Sequence, residues 1–202
     1  MSPILDSIGS VKAFGWGALA GTNPVGSYDS LATVTLSTST TSLTISGIPQ
    51  AGYQHLQLRG IARTDRSGFS VDGIIVQFNN DTGSNYSQHQ IYGEGSNLAA
   101  NGSTSTNLQS VAGASGSSAI ANSFGVFIMD VLNYTSTDKY KTLRFIGGHE
   151  NNTDTPDTDY GWANFASILW MNTSSITSIT FKPRVGTNFQ RYSQFNLYGI
   201  RG

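Results

Sequence analysis

The sequence predicts an all-β protein, a two-sheet antiparallel β-sandwich of jelly-roll type with about nine or ten strands. Several segments alternate apolar and polar side chains with a period of two, which is typical of strands with one buried face. Clusters of Gly, Asn, Asp and Pro separate these segments at intervals of roughly 8 to 15 residues. No segment shows the spacing of three and four that marks an amphipathic helix.

Tyr53–Asp65 is the clearest predicted strand, and the other strands are interpreted as its neighbours. Its apolar and small residues share a face that we expect to lie on the core: Leu56, Leu58, Gly60 and Ala62. The opposite face carries Tyr53, His55, Gln57, Arg59, Ile61 and Arg63. We expect this second face to be exposed to solvent or covered by a partner.

Leu31–Leu36 and Ser42–Ser46 are predicted to form a hairpin before this strand. Asp72–Phe78 and Tyr86–Gly93 are predicted as strands after it. In the first of these, Ile74, Val76 and Phe78 should point inward. In the second, Gln88, Gln90 and Tyr92 share a face with Tyr86, while Ser87, His89 and Ile91 share the other.

Gly95–Asn122 is rich in small residues and contains no charge, and we expect a long excursion with one short strand at Thr106–Val111. A disordered linker is the alternative. Phe124–Leu132 is predicted as a buried central strand that forms an antiparallel hairpin with Lys139–Gly147. The last three predicted strands are Trp162–Trp170, Ser178–Lys182 and Gln194–Ile200, the final one beside Tyr53–Arg63.

Composition narrows the class of protein. Of 202 residues only 11% are charged, against roughly a quarter in a typical soluble domain. Uncharged Ser, Thr, Asn, Gln and Gly must therefore supply the polar surface, as in β-sandwiches that assemble or work outside cells. The net charge of -1 gives no electrostatic indication of nucleic acid or anionic membrane. The absence of cysteine excludes disulfides, thiolate zinc sites and a cysteine nucleophile.

The first 27 residues differ from the predicted domain at 28–202. Phe14 and Trp16 stand among glycines, in a segment too small to form its own core. We expect an anchoring arm in which these two rings bind another subunit, with packing back onto the domain as the alternative. The segment has neither the basic region nor the apolar run of a secretory signal, and no stretch of the sequence is apolar enough to predict membrane insertion.

No motif predicts catalysis: the sequence has no nucleophile elbow, phosphate loop or zinc-protease motif, and we expect no enzyme and no cofactor. The loop at 149–160 carries Glu150, Asp154, Asp157 and Asp159 beside Asn151 and Asn152. Calcium binding and a merely solvated loop are both compatible with it, and no metal ligand is assigned. The three histidines, His55, His89 and His149, are expected at ordinary polar positions of the sheets, and a metal site is the alternative if the fold brings them together.

Trp162 and Trp170, at the two ends of one predicted strand, are candidate exposed aromatics that could bind sugars through the C–H faces of the pyranose rings. The alternative for both is packing in the core or in an interface. If the rings are exposed, the strand contributes to binding. If they are packed in the core, it contributes only to folding.

Several motifs look familiar: Tyr28-Asp-Ser-Leu-Ala-Thr-Val, Ile48-Pro-Gln followed by Tyr53–Asp65, Phe78-Asn-Asn-Asp-Thr-Gly-Ser-Asn-Tyr, Asp138-Lys-Tyr-Lys-Thr and Phe195-Asn-Leu-Tyr-Gly-Ile-Arg-Gly. From Tyr28 to Gly202 the chain resembles virion structural proteins of tailed bacteriophages, many of them marine. These motifs mark strands and turns, so the resemblance transfers no functional residue.

The resemblance implies a bacteriophage virion structural protein, a capsid decoration or head-fibre protein attached through the N-terminal arm. The alternative is a tail-fibre or receptor-binding module that recognises host-surface glycans. A free carbohydrate-binding or hydrolytic domain is a third hypothesis. By family analogy we expect a homotrimer that contacts major capsid or tail subunits, is assembled in the host cytoplasm and is released in the virion by lysis.

Overall fold

The computed structural model describes residues 27–95, 97–107, 109–152 and 161–201. They form twelve strands: β1 (Tyr28–Thr35), β2 (Leu43–Ser46), β3 (His55–Ala62), β4 (Val71–Phe78), β5 (Tyr86–Glu94), β6 (Asn97–Thr106), β7 (Gln109–Ser115), β8 (Gly125–Val131), β9 (Lys141–His149), β10 (Trp162–Trp170), β11 (Ser178–Pro183) and β12 (Gln194–Ile200). The predicted all-β class is confirmed, with twelve strands in place of nine or ten.

The strands form two antiparallel sheets of unequal width. The large sheet has the order β1-β12-β3-β8-β9-β10-β5-β6, and the small sheet has the order β2-β11-β4-β7. The first four strands of the large sheet and the four of the small sheet follow the jelly-roll pattern, in which the chain alternates between sheets. The remaining strands, β5–β6 and β9–β10, are insertions that widen only the large sheet.

The predicted hairpin of the first two strands is wrong. β1 pairs with β12 in the large sheet, whereas β2 pairs with β11 in the small one. The connecting residues are bonded elsewhere: Leu36 N–H donates to Ser193 C=O, and Thr40 exchanges backbone hydrogen bonds with Phe189. Alternation of side chains reports which face is buried, but it does not identify the neighbouring strand.

The segment 95–122 contributes two strands rather than one. β6 extends the large sheet beside β5, and β7 crosses to the edge of the small sheet beside β4. Small residues permit this crossing, because a Cβ added to Gly113 would lie only 3.0 Å from Phe145 Cζ. The one short strand predicted at Thr106–Val111 instead spans the turn between β6 and β7.

The core lies between the sheets and contains the predicted face of β3. Leu56, Leu58 and Ala62 are at most 1% exposed, and β12 pairs with β3 as predicted. An aromatic cluster joins the two sheets, with ring centroids 5.1 to 6.5 Å apart: Phe127, Phe145, Phe181, Phe189 and Phe195.

The strand β8 is central in the large sheet and pairs with β9 as predicted, but only one of its faces is buried. Phe127 and Met129 point into the core, whereas Val126 and Ile128 are 55% and 39% exposed. The large sheet therefore presents apolar side chains on its outer face as well.

Replacing Phe145 with Ala should lower the free energy of unfolding by about 3–5 kcal/mol, because the buried ring packs on Phe127 and its removal leaves a cavity. Thr142→Ser, on the exposed face of the same strand, is the matched control and should change stability by less than about 0.5 kcal/mol. Chemical denaturation measures both values. Equal losses in the two variants would contradict the assignment of faces.

Candidate functional site

The unequal width of the sheets creates a cleft. The small sheet ends at β7, which packs across from β8, β9 and β10, while β5 and β6 extend the large sheet further. Two adjoining depressions of about 390 and 140 Å³ lie in this region and share Gln90, Asn101 and Arg184. We call them together the cleft. Its principal lining residues are Gln88, Gln90, Tyr92, Asn101, Ser103 and Trp162 from the large sheet, and Arg66, Asp72, Gly73 and Arg184 from the other side.

Strand register places the polar side chains of the cleft beside one another. Asn101 lies opposite Gln90 across the β5–β6 pair, and Ser103 lies opposite Gln88. Because side chains alternate along a strand, Gln88 and Gln90 share the inner face with Tyr86, which is fully buried. The inner face of β5 thus changes from apolar to polar where the small sheet no longer covers it.

A chain of hydrogen bonds fixes the amides of this wall. Asn164 Nδ2 donates to Gln90 Oε1 at 2.8 Å, and Gln90 Nε2 donates to Asn101 Oδ1 at 2.7 Å. Each bond sets the orientation of the next amide, because an amide has distinct donor and acceptor ends. The polar groups are therefore positioned before any ligand arrives.

Four buried polar atoms at the cleft have no hydrogen-bond partner: Arg66 Nε, Gln88 Oε1, Trp162 Nε1 and Asn164 Oδ1. Asn164 is only 3% exposed, so its free oxygen is a substantial loss of hydrogen bonding. Buried polar groups in folded proteins are nearly always bonded, and a group of unbonded ones suggests a ligand site or ordered water. Two of these unbonded atoms are donors and two are acceptors.

An aromatic pair adjoins these groups. Tyr92 and Trp162 stack with ring centroids 4.4 Å apart and planes 10° from parallel, and both remain partly exposed. Of the two predicted exposed aromatics, Trp162 therefore lies in the cleft. Trp162 also borders a separate depression of about 560 Å³, outside the cleft, together with His149 and Glu150.

His149 lies directly opposite Trp162 in the β9–β10 pair and is 8% exposed. Neither of its ring nitrogens has a hydrogen-bond partner. Burial lowers the pKa of His149, and the charge of Glu150 opposes this only in part. The pKa of Glu150 is itself lowered, first by the backbone N–H of Asn151 and then by that of Asn152.

The prediction that Trp170 is exposed is wrong. Its side chain is fully buried, packs 5.4 Å from Phe78 by ring centroids, and donates from Nε1 to Asp81 Oδ2 at 2.7 Å. Trp162 and Trp170 share the inner face of β10, but only the Trp170 end is covered by the small sheet. The alternative of core packing therefore holds for Trp170.

The predicted anchoring residues Phe14 and Trp16 lie outside the described residues. So do Asp154, Asp157 and Asp159 of the acidic loop. Asn151, from the same loop, accepts a hydrogen bond from Ile120 N–H at 2.7 Å through its side-chain oxygen. No group of three or more metal-ligating side chains occurs within the described part of the chain.

The three histidines lie on separate strands, and His149 differs from the ordinary polar position expected of it because it is buried. His55 Nδ1 accepts a hydrogen bond from Asn133 N–H at 2.9 Å. His89 lies on the outer face of β5, whereas His149 lies on the inner face of β9. The structure therefore does not bring the three rings together.

The outer face of the large sheet carries an apolar row. Ile128, Ile146, Phe165 and Ile91 are successive cross-strand partners on β8, β9, β10 and β5. They are between 39% and 57% exposed. A shallow groove of about 550 Å³ follows the end of this row. Contiguous exposed apolar surface of this kind marks interaction sites in soluble proteins.

Sequence reasoning placed Gln88, Gln90 and Tyr92 on one face but did not select them as a site. It missed three further residues that line the cleft, Arg66, Asn101 and Arg184, and it missed Asn164, which bonds to the lining residue Gln90. The available signal was the face of β5 that Gln88 and Gln90 share with Tyr86. Because Tyr86 is buried, polar side chains on the same face are unusual. The contributions of Arg66 and Arg184 depend on loop positions that alternation does not reveal.

No family model, curated protein or solved structure matches this chain. The residues that the structure describes include no helix long and apolar enough to cross a membrane.

His149 should titrate below pH 6.5, its ordinary value, because burial disfavours the charged ring. As the pH falls through 6.5, the unfolded chain takes up a proton at His149 and the folded chain does not. The stability contributed by the neutral ring is therefore present above pH 6.5 and is lost as the pH falls to the lower folded value. NMR titration measures the ring directly, and His149→Gln should remove both the low-pH resonance and part of the acid destabilisation. A His149 midpoint at or above 6.5 would contradict the burial of the ring.

Proposed function

We propose that this chain is the saccharide-binding part of a bacteriophage particle, a tail-fibre or receptor-binding module that recognises host-surface glycans through the cleft. The observation that carries the proposal is the group of unpartnered buried polar atoms beside the stacked Tyr92 and Trp162.

Saccharides fit this combination of groups. A sugar hydroxyl both donates and accepts, so it can bond to the free oxygens of Gln88 and Asn164 and to the free indole N–H of Trp162. The C–H face of a pyranose ring packs on an aromatic ring, and the Tyr92–Trp162 pair offers such a surface. The bonded chain from Asn164 to Asn101 holds the wall in place, which reduces the entropy lost on binding.

The cleft favours binding over hydrolysis. Glycoside hydrolysis uses two carboxyl groups that flank the scissile bond. Among the described residues lining the cleft, Asp72 is the one carboxylate, and it is fully buried. Its oxygens accept hydrogen bonds from the Thr64 hydroxyl and from backbone N–H groups, including that of Gly186. Asp72 therefore acts in this proposal as a structural group.

The phage assignment rests on the resemblance of Tyr28–Gly202 to virion structural proteins and on composition. A charged fraction of 11% and the absence of cysteine suit a particle component that is assembled in the cytoplasm and released by lysis. The proposed location is the virion.

Trp162→Ala should abolish or strongly weaken glycan binding, by roughly 1–3 kcal/mol, since one aromatic surface and one free donor are lost. Tyr140→Ala is the matched control, because it removes an exposed ring that neither lines the cleft nor belongs to the apolar row. Glycan-array screening followed by calorimetry on each hit measures the difference.

The control variant should bind as the unchanged protein does. Retained binding in Trp162→Ala would refute the role of the cleft. Circular dichroism of both variants separates lost binding from lost folding.

A second candidate function is the capsid decoration or head-fibre role, and the apolar row favours it. The row is uncharged from Ile128 to Ile91, and the flanking Asp130 and Arg144 carry opposite charges 3.7 Å apart. Another copy of this chain can therefore cover the row without net repulsion. In this proposal, the homotrimer contacts capsid subunits through the predicted arm with Phe14 and Trp16.

The double variant Ile146→Thr/Phe165→Thr should shift the protein from trimer toward monomer, because it places two hydroxyl groups in the buried row. Sedimentation velocity measures the mass, and quantitative gels of purified virions measure incorporation. Thr142→Ser/Ser167→Ala, on the same outer face but outside the row, is the control. A monomeric unchanged protein, or an unaltered double variant, would contradict self-association through the row.

A further inference from the structure

Two arginine side chains line the cleft. Arg66 and Arg184 both line it, and neither forms an ion pair with a described carboxylate. The two ion pairs of the described residues lie elsewhere, at Arg144–Asp130 and Arg201–Asp29. Guanidinium groups without directly bonded carboxylates are the groups that bind oxyanions most strongly in proteins.

Asp72 does not neutralise these arginines by direct pairing. Four donors already occupy its oxygens: the Thr64 hydroxyl at 2.9 Å and the backbone N–H groups of Gly73 at 2.8 Å, Val185 at 3.3 Å and Gly186 at 3.0 Å. Asp65, which precedes Arg66, is likewise occupied, because its oxygens accept from the backbone N–H groups of Thr187 and Asn188 and from the Asn188 amide. Glu94 and Glu150 lie at the Trp162 end, where Glu94 is the cross-strand partner of Trp162. Asp65 and Asp72 lie at the Arg184 end of the cleft, but their oxygens are occupied by other donors, and the guanidinium groups of Arg66 and Arg184 have no direct carboxylate partner among the described residues.

Arg66 is held in position before binding. Its Nη1 donates to Val71 C=O at 2.9 Å, and its guanidinium carbon lies 4.0 Å from the centre of the Phe69 ring. Its Nε is buried and has no partner. A planar guanidinium fixed in this way recognises planar or tetrahedral oxyanions with little loss of side-chain entropy.

We infer that the cleft binds an acidic saccharide, with its carboxylate or sulfate group at Arg66 and Arg184 and its hydroxyl groups on the amide wall of Gln88 and Asn164. This inference rests on the proposed saccharide binding and specifies its ligand class. A host-surface polysaccharide with uronic acid or sulfated residues supplies both kinds of group, whereas a neutral glycan leaves the two arginines unpaired. Carboxylate and sulfate share the oxyanion that the arginines bind, and the ligand pairs below distinguish them.

The test compares each acidic oligosaccharide with its own neutral form. Uronic-acid oligosaccharides are paired with their methyl esters, and sulfated oligosaccharides with their desulfated forms, on one array and then by calorimetry. The acidic member should bind about tenfold more tightly or better, because a hydrogen bond to a charged group is stronger than one to a neutral group. Added salt should reduce the difference.

Arg184→Gln should lower affinity for the acidic member by about tenfold and should lower affinity for the neutral member much less. This side chain is exposed, and only the Arg184 backbone N–H bonds to Gly73, so folding should be preserved. Arg191→Gln removes the same charge from an exposed position that does not line the cleft, and should change neither affinity.

The outcomes separate this inference from the function on which it rests. Equal affinity for acidic and neutral members, lost in Trp162→Ala, would overturn the acidic preference and leave saccharide binding standing. Acidic preference reduced equally by Arg184→Gln and Arg191→Gln would indicate attraction to general charge and would also overturn it. Binding to no member of any pair would overturn both proposals.

Discussion

The feature on which the rest of this structure depends is the mismatch between a sheet of eight strands and a sheet of four. A sheet face is stable when another layer covers its apolar side chains, and the small sheet covers only part of the large one. Beyond β7, the inner faces of β5 and β6 must be compatible with water or ligand. The chain meets this requirement with amides, hydroxyls and aromatic rings, and the cleft results from this substitution.

Strand β10 shows the transition along a single element. Trp170, Ile168 and Ala166 are at most 2% exposed and lie in the core, whereas Asn164 and Trp162 continue the same inner face into the cleft. The free oxygen of Asn164 and the free indole N–H of Trp162 belong to this uncovered end. The inner face of β10 is covered by the small sheet at one end and uncovered at the other. Hydrogen-bonding groups at this boundary lie in low-dielectric surroundings, where each bond to a ligand is stronger than it is in water.

Alternation in the sequence was sufficient to predict β3, β10 and β12 as strands, and it predicted the buried face of β3. It could not predict strand partners, because a period of two is the same whichever neighbour is present, and so the β1–β2 hairpin failed. The same limit explains Trp170, since its burial depends on Phe78 from the opposite sheet. The cleft combines register between β5 and β6 with Arg66 and Arg184, which follow other strands. Such a site depends on tertiary neighbours, although polar residues facing inward on β5 gave a usable indication.

The two indole groups of β10 allow one measurement to test the saccharide-binding cleft. In two-dimensional ¹H–¹⁵N spectra, the Nε1–H resonances of Trp162 and Trp170 are followed while an acidic oligosaccharide is added. We predict that the Trp162 resonance moves progressively to saturation, because its donor is free and borders the cleft. The Trp170 resonance should remain in place, because its donor is bonded to Asp81 in the core. A Trp162 resonance that stays unmoved when binding is saturated would contradict the proposal that this cleft holds the sugar.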